Sequence, residues 1–176
     1  AADRGVPVGR LADLTAFSFH PVKHITTAEG GALVTDDPER ARRARVFRNH
    51  GITTDHRERE RAGTWTYDMV TLGFNYRLSD LQCALGRSQL KRLRSWVERR
   101  RELARRYDEA LRGVAGVRPL STREGAEHSH HLYVVQLAKP EARDGVIAAL
   151  RAQGIGANLH YRPVHLHPFY RERFAT

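Results

Sequence analysis

Residues 14–37 read LTAFSFHPVKHITTAEGGALVTDD, and the reading of this stretch decides how the rest of the chain is understood. Leu14 to His20 alternates and is rich in aromatic residues, and Gly31 to Thr35 is a short apolar run after a glycine pair. Both predict strands. Between them, PVKHITTAEG is bracketed by Pro21 and Gly30, which predicts a connecting loop. Lys23 lies in that loop, ahead of Thr26, Thr27, Glu29, Gly30 and Gly31. The chain has only three lysines among 30 Lys and Arg residues, and forming a Schiff base needs an amine, which a guanidinium does not supply. Most lysines are surface residues, so composition alone leaves Lys23 either an exposed cation or a nucleophile.

Working outward, Asp36, Asp37 and Pro38 make a helix start, and a basic helix follows from Glu39 to Phe47, ending near His50 and Gly51. Residues 51–66 are charged and without period, which predicts a long exposed loop. Ser79 is suited to cap a helix in which Leu81, Ala84, Leu85, Ser88, Gln89 and Leu93 keep helical spacing. The helical pattern continues, arginine-rich, from Trp96 to about Leu111, and Gly113 and Gly116 close it. Strand, helix and strand are then predicted at His131 to Leu137, Ala142 to Ala152 and Ala157 to Tyr161. The order describes an α/β protein.

With 176 residues and a hydrophobic fraction of 40%, the chain is able to fill a core. No apolar run of about 18 residues exists to span a bilayer, and the first residues lack a signal-peptide layout, so a cytoplasmic protein is expected. The single cysteine, Cys83, excludes an internal disulfide and is expected to behave as a small hydrophobe on its helix. A formal charge of +10 raises nucleic acid as a partner. Arg57, Arg59 and Arg61 alternate with glutamates, however, and Arg99 to Arg101 fall within a helix, patterns that read as a solvated loop and a solvated helix face. His128, His130 and His131, and again His160, His165 and His167, lack the spacing and the cysteines of a metal site, so no metal is expected. No phosphate-binding loop or dinucleotide fingerprint is present.

Taken together and in order, FSFHPVKHITTAEGGALVTDD (17–37), RNHGI (48–52), LGFNYRLSDLQCALGRSQL (72–90) and HYRPVHLHPFY (160–170) resemble the DegT/DnrJ/EryC1/StrS family of sugar aminotransferases dependent on pyridoxal phosphate (PLP). The resemblance runs from about Gly5 to Phe174. It implies the fold-type-I aminotransferase fold, with the C-terminal part of the large domain in residues 1–85, a linking helical region in 86–112 and the start of a small α/β domain in 113–176. A chain truncated at both ends relative to the family is the expectation.

The resemblance also implies roles. Lys23 would form the covalent bond to PLP and act as the catalytic base, Ser18 would hydrogen-bond the cofactor phosphate, and Asn75 would reach the phosphate of a partner subunit, making a homodimer. Arg77, His160, Tyr161 and His165 would contact the substrate. That substrate would be a nucleotide-linked keto sugar with glutamate as amino donor. The words SFHPVKHITT and LGFNYRLSDLQ are most similar to enzymes that aminate C4 of a UDP-4-keto-6-deoxy-HexNAc on the way to pseudaminic acid, a polysaccharide building block. The alternatives are a basic nucleic-acid-binding module and a PLP-fold regulator without transaminase activity. A regulator of that kind would lack the lysine.

Overall fold

The computed structural model describes residues 1–174, which divide into two compact units: residues 1–112 with 121–134, and residues 113–120 with those from 135 to 174.

The centre of the first unit is an antiparallel hairpin of β3 (Thr15–Ser18) and β4 (Gly31–Val34), with Thr15 opposite Val34 and Ser18 opposite Gly31. The alternating segment and the apolar segment thus pair with each other, and the lysine loop is their connection. Gly31 is required at the closing pair because a Cβ there would sit 2.6 Å from the Phe17 carbonyl oxygen. Two short strands at the N-terminus, β1 (Ala2–Asp3) and β2 (Val6–Pro7), form a small sheet with β6 (Ala126–Glu127), in the order β2-β1-β6.

Helix α1 (Pro38–Arg48) begins where the proline predicts. The Asp37 carboxylate accepts the backbone N–H groups of Glu39 and Arg40 at 2.8 and 3.1 Å, satisfying donors that an uncapped first turn leaves open. Residues 51–66 are not all loop. Asp55 and Glu58 form a reciprocal capping box that starts the one-and-a-half-turn helix α2 (His56–Arg61), a local signal that outweighs the missing hydrophobic period. Ser79 and Gln82 form a second capping box at the head of α3 (Asp80–Leu90), and α4 (Leu93–Ala110) follows after a two-residue break. Cys83 is exposed on α3.

A backbone clamp ties the end of α1 to the segment ahead of α3. Phe74 N–H donates to the Phe47 carbonyl at 2.7 Å, His50 N–H to Phe74 and Tyr76 N–H to Arg48 at 3.0 Å each. The rings of Phe47, Phe74 and Tyr76 pack beside it, the last two stacked at 5.0 Å.

The second unit pairs β5 (Val117–Pro119) with β7 (Val135–Leu137) and carries α5 (Arg143–Ala152) and α6 (Pro168–Phe174). Of the strand predicted from His131 to Leu137 only Val135–Leu137 forms, and at its predicted start the carbonyl of His131 is taken by Arg100. Residues 157–161 are not a strand; the Arg151 guanidinium takes the Ala157 carbonyl instead.

Among the described residues, the buried apolar side chains are Val46 and Ala104. Trp65, Leu72 and Leu81 are 85, 72 and 85% exposed. Apolar area of this kind is worth roughly 25 cal/mol per Å² when covered, so the first unit carries surface suited to burial against further protein.

Candidate active site

The loop that carries Lys23 is closed by its own threonines. Phe19 N–H donates to the Gly30 carbonyl at 2.8 Å, Thr27 N–H to the Phe19 carbonyl at 3.0 Å, and the Thr26 hydroxyl to that same carbonyl at 2.9 Å. The Thr26 hydroxyl also accepts the Ala28 N–H, at a residue with φ +66°. Thr27 is 2% exposed and its hydroxyl donates to the Glu29 carbonyl at 2.8 Å.

Helix α3 then fixes the loop from outside. The Gln89 side-chain carbonyl accepts Thr26 N–H at 2.8 Å, and the Gln82 amide donates to the Glu29 carbonyl at 3.0 Å. Gly86 lets the helix approach, since a Cβ there would come within 2.8 Å of Thr27 Cγ2. Gln82, Gly86 and Gln89 lie on one helix face at three- and four-residue spacing. The word LQCALGRSQ is therefore a template for the lysine loop.

Lys23 is half-buried, whereas Lys91 and Lys139 are exposed. Its Nζ lies 3.3 Å from His131 Nε2. Neighbouring His24 hydrogen-bonds the Ser129 carbonyl through Nε2 at 2.9 Å, and its ring centroid is 5.6 Å from that of His131. Among the described residues no carboxylate forms an ion pair with Lys23.

Ser18 ends β3, five residues before Lys23, and its exposed hydroxyl accepts the His20 N–H at 3.3 Å. Asn75 is bridged through its backbone to Asn49 and its side chain is exposed. Arg77 donates from Nη1 to Asn49 Oδ1 at 2.8 Å. Ser18, Lys23, Asn75 and Arg77 all belong to the first unit; His160, Tyr161 and His165 belong to the second. There, the His160 and Tyr161 rings lie 3.7 Å apart and His165 occupies the turn Val164–Leu166.

Sequence reasoning missed His131, Arg100 and Arg101. Arg100 and Arg101 are half-buried rather than a solvated helix face. Arg100 Nη1 donates to the carbonyls of His130 and His131 at 3.2 and 3.4 Å, and Arg101 Nε to that of His128 at 3.0 Å. Burial first, and then the charge of His128, lowers the pKa of His130. Among the described residues no group of three or more His, Cys, Asp or Glu is placed to hold a metal ion, and no helix is long and apolar enough to cross a membrane.

Just beyond this segment, the Tyr133 hydroxyl donates to Asp108 Oδ1 at 2.6 Å and its ring stacks on Tyr107 at 4.9 Å. Desolvation, followed by the hydrogen bond and charge of Asp108, pushes the Tyr133 phenol up to about 12. A raised phenol pKa stabilises the fold fully below its ordinary value near 10, and that stabilisation is lost as the pH climbs toward the folded value. Urea-midpoint series at about pH 9 to 12 are expected to show a steeper alkaline loss in the parent than in Tyr133→Phe. Parallel slopes would mean that Tyr133 does not couple to folding.

A family model described as the DegT/DnrJ/EryC1/StrS aminotransferase family matches residues 1–176. The chain belongs to this family. It is 40% identical over 168 residues to the UDP-4-amino-4,6-dideoxy-N-acetyl-beta-L-altrosamine transaminase of Campylobacter jejuni, covering 94% of this chain and 43% of that protein. Among solved structures, the PMP form of the sugar aminotransferase Spr1654 from Streptococcus pneumoniae superposes with a TM-score of 0.87 at 35% identity, over 97% of this chain and 45% of the other. Helicobacter pylori PseC, an aminotransferase of pseudoaminic acid biosynthesis, superposes with a TM-score of 0.85 at 32% identity, over 98 and 45%. The chain thus has the family's α/β fold and spans less than half the length of the curated relatives it matches.

Proposed function

We propose that the protein carrying this sequence is a PLP-dependent aminotransferase that moves the amino group of glutamate to a nucleotide-linked keto sugar. The sugar we favour is a UDP-4-keto-6-deoxy-HexNAc, aminated at C4, on the strength of the Campylobacter and Helicobacter relatives. The observation that carries the reading is Lys23, the one lysine of three that is half-buried rather than exposed, on a loop pinned from both sides. This donor set fits PLP: a primary amine for the cofactor carbonyl, unpaired with any carboxylate among the described residues, and an exposed hydroxyl at Ser18 for the phosphate.

Lys23 would hold the cofactor and, once released from it, would act as the base that takes the proton from the amino donor's α-carbon. PLP supplies the electron sink for that carbon when bound. Ser18 and, from a second subunit, Asn75 bind the phosphate. Arg77, His160, Tyr161 and His165 bind and orient the nucleotide sugar. Lys23 would carry the same proton transfer in reverse in the half-reaction with the sugar, so one lysine serves both halves of the reaction.

A homodimer follows from the role of Asn75. It is supported by the exposed apolar side chains Trp65, Tyr67, Met69, Val70 and Leu72, which precede Asn75 along the chain. Covering them would recover hydrophobic free energy. A cytoplasmic location suits the single exposed thiol of Cys83, which favours a reducing compartment. A nucleic-acid module explains the charge but not the pinned lysine loop.

The test is to incubate the product of the complete reading frame with PLP, reduce with borohydride, digest and locate the pyridoxyl group by mass spectrometry. Modification concentrated on Lys23 is expected. Modification spread over Lys91 and Lys139, with none on Lys23, would remove the aminotransferase reading.

A further inference from the structure

His131 lies 108 residues from Lys23 in sequence, yet its Nε2 is the polar atom against the lysine Nζ, at 3.3 Å. Its position is built rather than incidental. Helix α4 sends Arg100 to the carbonyls of His130 and His131 and Arg101 to that of His128, and Arg101 also pairs with Glu127 at 3.2 Å. From the other side the lysine loop sends His24 to the carbonyl of Ser129. Every residue from Glu127 to His131 is therefore held by a side chain from α4 or from the lysine loop. The backbone of His130 takes a left-handed φ of +49° within this segment, a conformation that neighbouring contacts must hold in place.

The choice of an imidazole has a chemical consequence. A carboxylate beside a lysine stabilises the ammonium form by charge. A neutral imidazole offers a hydrogen bond with no formal charge, and its ring nitrogen accepts from the ammonium or donates to the free amine according to tautomer. It thus suits an amine that has to change protonation state without leaving its place.

We propose that His131 is the positioning residue for Lys23, holding Nζ by this hydrogen bond while the lysine is free of the cofactor, with Arg100, Arg101 and His24 fixing the segment that carries it. This rests on the reading of Lys23 as the cofactor-holding amine. His131 acts through Lys23 and has no assigned contact with substrate.

The experiment measures the rate of PLP capture at Lys23 by the metabolite-free apoprotein made from the complete reading frame. Borohydride quenching at timed intervals is followed by site-resolved mass spectrometry, with the exposed Lys91 and Lys139 as internal references. His131→Leu is expected to slow capture at Lys23 relative to the reference lysines by about tenfold, the equivalent of one hydrogen bond. His131→Gln, whose amide can still meet the amine, is expected to recover most of that rate. Thermal unfolding of each variant separates a folding defect from a positioning defect, and the glutamine variant carries the test where the leucine variant does not fold. Capture by His131→Leu at the parent rate overturns the proposal, as does a folded His131→Gln as slow as a tenfold loss. Absence of any capture at Lys23 in the parent protein overturns the reading of Lys23 instead.

Discussion

Lys23→Arg is expected to abolish covalent capture of PLP and to lower the transamination kcat by at least roughly a thousandfold, since positioned general-base catalysis alone is worth about 10²–10⁴. The guanidinium stays charged and cannot bond the cofactor carbonyl. The fold is expected to survive, because the hydrogen bonds that close the loop come from its backbone and from Thr26, Thr27, Gln82 and Gln89. Arginine can also still donate to His131. Lys23→Ala sharpens the comparison: an added small primary amine is expected to restore part of the proton transfer in the space the side chain leaves, and none in Lys23→Arg. Turnover of nucleotide keto sugar within tenfold of the parent in a folded Lys23→Arg protein would show that another group is the base.

Much of this site was legible because its parts are local. The two predicted strands around the lysine loop form where their pattern places them, at Thr15–Ser18 and Gly31–Val34. Asp37 and Ser79 cap the helices they were expected to cap. Helix α2 was missed because its hydrophobic period is absent, although Asp55 and Glu58 carried a readable capping box. The partners of Lys23 were illegible for a different reason. Spacing within a motif reports on neighbours along one helix or strand, whereas His131 meets Lys23 only through the way its segment returns to α4. Its adjacent histidines drew attention to metal ligation, and the arginines that hold it look like any polar helix face. Backbone carbonyls, which leave no trace in the residue pattern, are what Arg100 and Arg101 recognise.

The same distinction between local and returning structure governs Gly51, where alanine is expected to be the most damaging single methyl group in the Asn75 clamp. Gly51 has φ +73° and is buried, with its N–H donating to the Val46 carbonyl at 2.9 Å and its own carbonyl accepting from Val70 at 2.9 Å. A Cβ built on it would overlap the Thr71 carbonyl oxygen and come within 2.8 Å of the Thr71 carbonyl carbon. Those are backbone atoms, so no rotamer change relieves the overlap and one strand of the clamp has to move. The left-handed conformation costs about 1–2 kcal/mol and forced overpacking about 1–3 kcal/mol, giving roughly 2–5 kcal/mol for Gly51→Ala. Gly63 separates the two contributions, because it has φ +62° with nothing within 4 Å of an added Cβ, so Gly63→Ala is expected to lose about 1–2 kcal/mol. Displacing residues 71–73 shifts the neighbouring Phe74 and Asn75, whose backbones pair with His50 and Asn49. If Asn75 holds the cofactor phosphate as proposed, Gly51→Ala is also expected to weaken PLP retention by the protein of the complete reading frame, measured as cofactor loss on dialysis, whereas Gly63→Ala keeps it. Equal unfolding losses in the two variants would show that the Thr71 overlap is absorbed without strain and that the clamp does not set the position of Asn75.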